Sequence, residues 1–166
     1  MKTDVGEYIV GAYLKLALGC DIVDYNVRPP GGGLEGLGEL DVIGYDMSHK
    51  LVYLCEVTTH IQGLLIGRSY SETAMKIKDK HERQKQYASK RLRGFSVRYQ
   101  FWSPRVPVGK LTKQLGKIDG LELIINDRYR ECVEELKILA EKKKYDSGNP
   151  FFRMLQIVAA MRKVAT

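Results

Sequence analysis

The spacing of hydrophobic residues along the chain alternates between two periods. In five segments apolar residues recur every three or four positions, as in helices with one buried face, and in five others short apolar runs or strict alternation indicate strands. The predicted helices cover residues 5–18, 72–91, 110–115, 127–144 and 149 onward, and the predicted strands cover 21–27, 38–44, 51–58, 95–102 and 121–125. This order, α-β-β-β-α-β-α-β-α-α, predicts one mixed α/β domain over residues 1–166.

Two of these strands carry a carboxylate where a buried strand normally has none. The apolar runs 38–44 and 51–58 indicate interior strands covered on both faces, yet they contain Asp41 and Glu56. A carboxylate at the margin of a core is costly to desolvate unless a cation or hydrogen bonds receive it. Two such groups on neighbouring strands therefore predict a divalent metal site.

A hairpin allows these two acids to converge. Side chains alternate along a strand, so Glu56 and Thr58 share a face, and Asp41 comes opposite Glu56 if the register permits. Two carboxylates with the Val57 carbonyl and water suit Mg²⁺ or Mn²⁺, which prefer oxygen ligands. The alternative for Asp41 alone is a strand-end residue that hydrogen-bonds a loop.

Positive charge is concentrated directly after these strands. The 166 residues carry a formal net charge of +7, and segment 76–117 contains 13 Lys/Arg against two acids, a surplus of +11 that leaves −4 for the rest. A basic surface beside an acidic pocket suits a polyanion whose phosphates are held by Lys and Arg while a metal binds at its backbone. Nucleic acid is the predicted partner, and a solvated helix face is the alternative.

The remaining composition narrows the class of protein. Cys20, Cys55 and Cys132 are widely spaced without a C-x-x-C pair, which favours a reduced, cytoplasmic compartment and argues against a structural zinc site. Cys55, inside a strand, is predicted to be a small core residue. No segment has the length of apolar sequence that spans a bilayer, and the N-terminus shows no signal peptide, so a membrane partner is not expected.

The acidic strands and the order of elements resemble the PD-(D/E)xK nuclease superfamily, which includes restriction endonucleases and archaeal Holliday-junction resolvases. The resemblance covers about the first hundred residues, where a helix bearing Glu7 precedes Asp41 on one strand and Glu56-Val57-Thr58 on the next. Leu40 stands where the family has proline. The resemblance implies a restriction-endonuclease-like α-β-β-β-α-β core with a mixed sheet flanked by helices, extended here by C-terminal helices.

The same resemblance implies hydrolysis of DNA phosphodiester bonds. Mg²⁺ or Mn²⁺ would be held by Asp41, Glu56 and Val57, with assistance from Glu7. The latter residue has a second interpretation, because Asp4 and Glu7 have the spacing of a capping box at the start of the first helix.

Thr58 stands where the family has the lysine of E-x-K, so the source of catalytic positive charge is open. Lys76, Lys78 or Lys80 on the following helix could reach back into the pocket. Alternatively, the metal acts with a water that Thr58 positions, or the site binds nucleic acid without cleaving it.

Further side chains are candidates for contacts with nucleic acid. On the basic helix, Gln84 and Tyr87 lie near the side of Lys76 and Lys80, and they resemble a Gln and a Tyr that superfamily relatives place there. The predicted contacts are His60, Arg68, Lys78, Gln84, Tyr87 and Arg98. A solvated or packed position is the alternative for each, and the glycine loop 31–33 is either a flap near the pocket or a plain linker.

The leading prediction is therefore a Mg²⁺-dependent nuclease that acts on DNA. A domain that keeps this fold and only binds nucleic acid is one alternative, and a protein-interaction domain with a basic face is another. The apolar C-terminal helix either forms a homodimer interface or closes the core.

Overall fold

The computed structural model describes residues 3–28 and 38–164, with the side chains of residues 3–28 and 38–162. In chain order its helices are α1 (Val5–Ala12), α2 (Tyr70–Arg91), α3 (Lys110–Leu115), α4 (Asp127–Lys142) and α5 (Pro150–Val164). Its strands are β1 (Ile22–Val27), β2 (Leu40–Asp46), β3 (Leu51–Val57), β4 (Ser96–Ser103) and β5 (Leu121–Ile125). The predicted order of elements is confirmed for these residues, and the glycine loop at 31–33 lies outside them.

The first helix differs from the prediction near its end. The spacing predicts one α-helix over residues 5–18, but Tyr13–Ala17 form a π-helical segment that continues α1. The Leu18 N–H donates to the Tyr13 carbonyl five residues earlier, at 3.1 Å, which widens the turn. One widened turn leaves the apolar spacing almost unchanged, so the sequence pattern does not reveal it.

The five strands form one mixed sheet in the order β1-β2-β3-β4-β5. The first three are antiparallel neighbours, whereas β3, β4 and β5 run parallel. A turn at residues 47–50 joins β2 to β3, and α2 and α3 form the crossovers that parallel strands require. The predicted α/β class with a mixed, helix-flanked sheet is confirmed.

Helices cover both faces of this sheet. On one face α1, α4 and α5 pack through a cluster that includes Leu14, Trp102 and Phe152, all fully buried. On the other face α2 packs on a cluster that includes Ile43 and Leu54, and α3 extends this layer. Burial on both faces explains the uninterrupted apolar runs of β2 and β3 and confirms that they are interior strands.

The three cysteines are free thiols buried in the cluster beneath α1, α4 and α5. Cys55 has an exposed fraction of 1%, so its prediction as a small core residue is confirmed. Among residues 3–28 and 38–164, no helix combines the length and the apolar character needed to cross a bilayer.

Gly11 lets α1 lie directly against β1. A methyl group at this position would lie 1.9 Å from the Tyr25 hydroxyl oxygen and 2.5 Å from the adjoining ring carbon. The tyrosine is held in place, because its ring packs on Tyr8 with centroids 5.4 Å apart and its hydroxyl accepts from Asn149 Nδ2. We expect Gly11→Ala to lower the free energy of unfolding, measured with urea, by about 1–3 kcal/mol. In a Tyr25→Phe background the same substitution should cost less, and an undiminished cost would contradict this packing.

Candidate active site

Strands β2 and β3 bring Asp41 and Glu56 onto the same face of the sheet. Val42 pairs with Cys55 in the antiparallel register, so the next position places Asp41 opposite Glu56. Both acids lie on the face covered by α2, since they alternate with Val42 and Cys55, which belong to the cluster on the opposite face. The hairpin register therefore brings Asp41 and Glu56 together, which the sequence alone did not establish.

The two acids lie in a cleft of about 250 Å³ between the sheet and α2. Its lining residues are Gly38, Glu39, Leu40, Asp41, Glu56, Lys80, Arg83 and Gln84. Glu56 has an exposed fraction of 5%, and Asp41 Oδ2 accepts a hydrogen bond from the Val57 N–H at 2.8 Å. The backbone of β3 thereby fixes the Asp41 carboxylate beside Glu56.

A lysine of α2 completes the group. The Nζ of Lys80 donates to Glu56 Oε1, and the two side chains form an ion pair. The helix is held in this position because Ile77 and His81, which flank Lys80, are each 2% exposed. The Lys80 side chain itself is 45% exposed, so it borders the opening of the cleft.

Burial and mutual repulsion disfavour ionisation of both carboxyl groups together. Burial raises the pKa of Glu56 to about 8, the charge of Asp41 adds to the rise, and Lys80 opposes it. Burial also raises the pKa of Asp41, against the hydrogen bond from the Val57 N–H. Burial alone would lower the pKa of Lys80, but the charge of Glu56, the hydrogen bond to it and the charge of Asp41 together outweigh burial, and the pKa is raised. Ionisation of both carboxyl groups together is therefore disfavoured in the empty cleft, and a second cation bound beside them would favour it.

Two polar side chains at this place have buried atoms without a hydrogen-bond partner. Both amide atoms of Gln84 and the Oγ1 of Thr58 are shielded from solvent and make no hydrogen bond within residues 3–28 and 38–164. Gln84 lines the cleft, whereas Thr58, directly after the end of β3 and two positions beyond Glu56, is not one of the lining residues. A buried polar group without a hydrogen bond lowers the stability of the fold by about 1–3 kcal/mol. A ligand or water that hydrogen-bonds to these atoms would remove that penalty.

The oxygen donors of the cleft fit a hard divalent ion. Within the parts of the chain that the structure describes, no three His, Cys, Asp or Glu side chains form a group that could hold an ion. Mg²⁺, however, typically uses one or two protein carboxylates and keeps several waters. Asp41 and Glu56 supply the two carboxylates, and the Val57 carbonyl is the predicted backbone ligand. Burial and the charge of Asp41 raise the pKa of Glu56, and a cation bound between the two carboxylates would oppose that rise.

Glu7 is held by structural hydrogen bonds. Its Oε2 accepts from the Asp4 N–H and from Asn26 Nδ2, both at 2.9 Å, while the Asp4 side chain accepts from the Gly6 N–H. The capping box is therefore confirmed. Burial raises the pKa of Glu7, and the charge of Asp41 contributes to the rise. Glu7 does not line the cleft, and its role at a metal stays a prediction.

The structure separates the three lysines of α2 that the sequence left as alternatives. Lys76 Nζ pairs with Glu72 at 3.0 Å along the surface of the helix. Lys78 lies on the other side of α2, in a groove between α2 and α3. Lys80 is the lysine that the fold brings to Glu56.

Two of the side chains predicted to contact nucleic acid lie away from the cleft. Tyr87 is 7% exposed and packs in the cluster between α2 and the sheet, where a base cannot reach its ring. Arg98 lies over the Tyr53 ring, on the face of the sheet opposite the cleft, and its Nε pairs with Glu122 at 2.6 Å. Neither side chain is available to a substrate in the cleft.

Of the other predicted contacts, His60 and Arg68 lie outside the cleft and Gln84 lines it. His60 and Arg68 are exposed in the segment between β3 and α2, and neither lines the cleft. Gln84 does line it, beside Arg83, a residue that the sequence pattern did not indicate. Arg83 is exposed and follows Lys80 by three positions, so helical spacing from that lysine was the signal that could have identified it.

Comparisons with known proteins add no identification. No family model, no curated protein and no solved structure matches this chain. The order of the elements, the geometry of the cleft and the charge of α2 therefore carry the functional conclusion.

Proposed function

We propose that this protein is a metal-dependent nuclease that hydrolyses phosphodiester bonds in DNA. The observation that carries the proposal is the convergence of Asp41, Glu56 and Lys80 in one cleft. Two carboxylates and a lysine are the functional side chains of the PD-(D/E)xK nucleases that the sequence resembles. The order α1-β1-β2-β3-α2-β4 in a mixed sheet supports a restriction-endonuclease-like core.

The carboxylates and the backbone beside them would hold the metal. Asp41, Glu56 and the Val57 carbonyl are the proposed ligands of Mg²⁺ or Mn²⁺, and water would complete the coordination. When bound at such a site, a divalent ion polarises the scissile phosphate and lowers the pKa of a coordinated water. The β3 backbone keeps Asp41 in place for this purpose through the hydrogen bond from the Val57 N–H.

Lys80 supplies the positive charge that Thr58 lacks. Its ammonium reaches the cleft from α2 and would stabilise the negative charge that develops on the phosphate oxygens during attack by water. The unpaired hydroxyl of Thr58 would orient that water through a hydrogen bond. The water oxygen forms the new bond to phosphorus, and the bond to the departing oxygen breaks.

The side of α2 that borders the cleft is basic along most of its length. The exposed basic residues on this side are Lys76, which pairs with Glu72, and Lys80, Arg83, Lys90 and Arg91. From the first to the last the helix rises about 22 Å, which is long enough to contact several phosphates of a DNA strand. A basic edge of this length beside an acidic cleft favours a nucleic acid over a small acidic substrate.

Incubation with plasmid and with branched DNA tests the proposal. With Mg²⁺ or Mn²⁺ we expect cleavage that EDTA abolishes, measured on gels with end-labelled strands. Glu122→Gln is the matched control, because this carboxylate is paired with Arg98 on the opposite face and its loss should leave cleavage unchanged. DNA binding without cleavage under every divalent ion would leave a binding module, and absence of both would favour the protein-interaction alternative.

A further inference from the structure

A second groove lies on the other side of α2 from the cleft. It has a volume of about 380 Å³ and runs between α2 and the segment formed by α3 and the turn after it. Three exposed lysines line this groove, Lys78 and Lys85 from α2 and Lys117 from the turn. We call it the α2–α3 groove.

The positive charge of the α2–α3 groove is only partly balanced. Glu82 and Asp119 also line it, and Glu82 pairs with Lys85 at 2.9 Å. Among the described side chains of residues 3–28 and 38–162, neither Lys78 nor Lys117 forms an ion pair. Three lysines against two carboxylates give the groove a formal charge of +1. The ammonium groups of Lys78 and Lys117 are therefore those that an added anion would contact.

The wall formed by α3 extends the positive charge beyond the groove. Residues 104–118 contain Arg105, Lys110, Lys113 and Lys117 but no Asp or Glu, and these four basic side chains are exposed. Charge of one sign along a surface of this length attracts an extended polyanion more strongly than a single small anion. The ligand that this surface fits is a chain of phosphates.

The cleft and the α2–α3 groove flank the same part of α2. Along residues 78–85, side chains that line the groove alternate with side chains that line the cleft: Lys78, Glu82 and Lys85 on one side, and Lys80, Arg83 and Gln84 on the other. An α-helix with its side chains is about 10–12 Å across. The major groove of B-DNA is about 12 Å wide and admits such a helix between its two phosphate backbones. The separation of the two sites therefore matches that of the two backbones of one duplex.

We propose that the α2–α3 groove binds the phosphate backbone of the second strand of a DNA duplex while the strand to be cut lies in the cleft. Lys78 and Lys117 contact the second strand, opposite Lys80 on the first. The outer side of α2 between the two sites then lies in the major groove. Asp79 and Gln86, seven positions apart, are exposed on this side, and such side chains hydrogen-bond the edges of cytosine and adenine there.

This inference rests on the proposed function in that the ligand is DNA, but it does not require hydrolysis. Binding is therefore measured in EDTA, without a divalent ion. If the protein cleaves a duplex whose binding does not involve Lys78 and Lys117, only the inference about the groove fails. If binding involves both lysines and no divalent ion supports cleavage, only the proposed hydrolysis fails.

The salt dependence of duplex binding counts the phosphate contacts. Each contact adds about 0.9 to the slope of log K against log salt concentration, so Lys78→Gln/Lys117→Gln should reduce the slope by about 1.8. Fluorescence anisotropy measures the affinity of a labelled duplex, and circular dichroism should be unchanged. The matched control is Lys142→Gln/Lys144→Gln, which removes two exposed lysines at the end of α4 on the opposite face of the sheet and should leave the slope unchanged. An unaltered slope in Lys78→Gln/Lys117→Gln, or a wild-type protein that binds no duplex, would overturn the proposal.

Single-stranded DNA of the same length separates contacts with the second strand from contacts with the first. The wild type and Lys78→Gln/Lys117→Gln should bind a single strand with the same affinity and the same slope, because the cleft side of α2 makes these contacts. A loss of affinity for the single strand as large as the loss for the duplex would contradict the assignment of the groove to a second strand.

Chemical protection tests which groove of the duplex receives α2. Dimethyl sulfate methylates guanine N7 in the major groove and adenine N3 in the minor groove. Saturating wild-type protein should protect guanine N7 and leave adenine N3 reactive, and the protection should weaken in Lys78→Gln/Lys117→Gln at the same protein concentration. Protection confined to adenine N3 would show that α2 does not lie in the major groove.

Discussion

Replacing Lys80 with methionine is expected to slow DNA cleavage by at least about 100-fold while the protein stays folded. Methionine retains most of the length of the side chain and removes the ammonium that contacts Glu56. Loss of one preorganised charge at a phosphoryl centre typically lowers the rate by a factor of about 10²–10³. Cleavage of a labelled duplex at saturating Mg²⁺ measures the effect.

Metal binding distinguishes an electrostatic role of Lys80 from damage to the fold. In the metal-free protein its ammonium lies beside Glu56 and opposes the entry of a divalent ion. Removal of this ammonium should tighten Mn²⁺ binding. Loss of a nearby positive charge relieves twice as much electrostatic repulsion for a divalent ion as for a competing proton. Electron paramagnetic resonance of free Mn²⁺ gives the affinity. Loss of both cleavage and Mn²⁺ binding in Lys80→Met would contradict the proposed role.

Two further variants test whether the positive charge must lie in the cleft. Lys76→Met is the matched control, since this lysine lies on the same side of α2 and pairs with Glu72 at the surface, and cleavage should change by less than about twofold. Thr58→Lys introduced into Lys80→Met restores a lysine at the position where the superfamily has one. Partial recovery of cleavage is expected, and full activity of Lys80→Met on its own would remove the need for a lysine here.

The common face of Asp41 and Glu56 could be predicted only in part from the sequence. Strand periodicity places Glu56 and Thr58 together, and the short turn at 47–50 leaves few registers for the hairpin. Hydrophobic alternation usually selects the register, because a shift by one residue moves apolar side chains into water. β2 and β3 are buried on both faces, so their sequences lack this signal and only the structure shows the pairing.

The choice among the lysines of α2 depended on contacts that are remote in sequence. The rotation of α2 about its axis decides which lysine meets the sheet, and it is set by the burial of Ile77 and His81. His81 hydrogen-bonds through Nε2 to the Asp119 carbonyl at 2.9 Å, a contact across 38 residues that no local pattern shows. The face on which Arg98 lies depends likewise on a contact remote in sequence, the parallel register that pairs it with Tyr53.

Substitution of Asp41 by asparagine should lower cleavage by at least about 1,000-fold and stabilise the metal-free protein. Asparagine can still accept the hydrogen bond from the Val57 N–H, whereas its repulsion with Glu56 disappears. We expect the melting temperature without divalent ions to rise by about 2–4 °C, the shift that corresponds to about 1 kcal/mol in a domain of this size. Differential scanning calorimetry measures it, with Glu122→Gln as the control on the opposite face.

The pH dependence of stability tests whether the two carboxyl groups act as one site. A carboxyl group whose pKa is raised on folding binds its proton more tightly in the native state, so stability falls as the pH rises between the two values. For Glu56 that window runs from 4.5 to about 8, and Asp41→Asn should flatten the fall because the charge of Asp41 is one of its causes. Mg²⁺ should restore the stability of the wild type at pH 8 and leave Asp41→Asn nearly unchanged. If Asp41→Asn is instead less stable than the wild type at pH 8, or if Mg²⁺ raises its stability as much as that of the wild type, the two carboxylates do not form a single cation site.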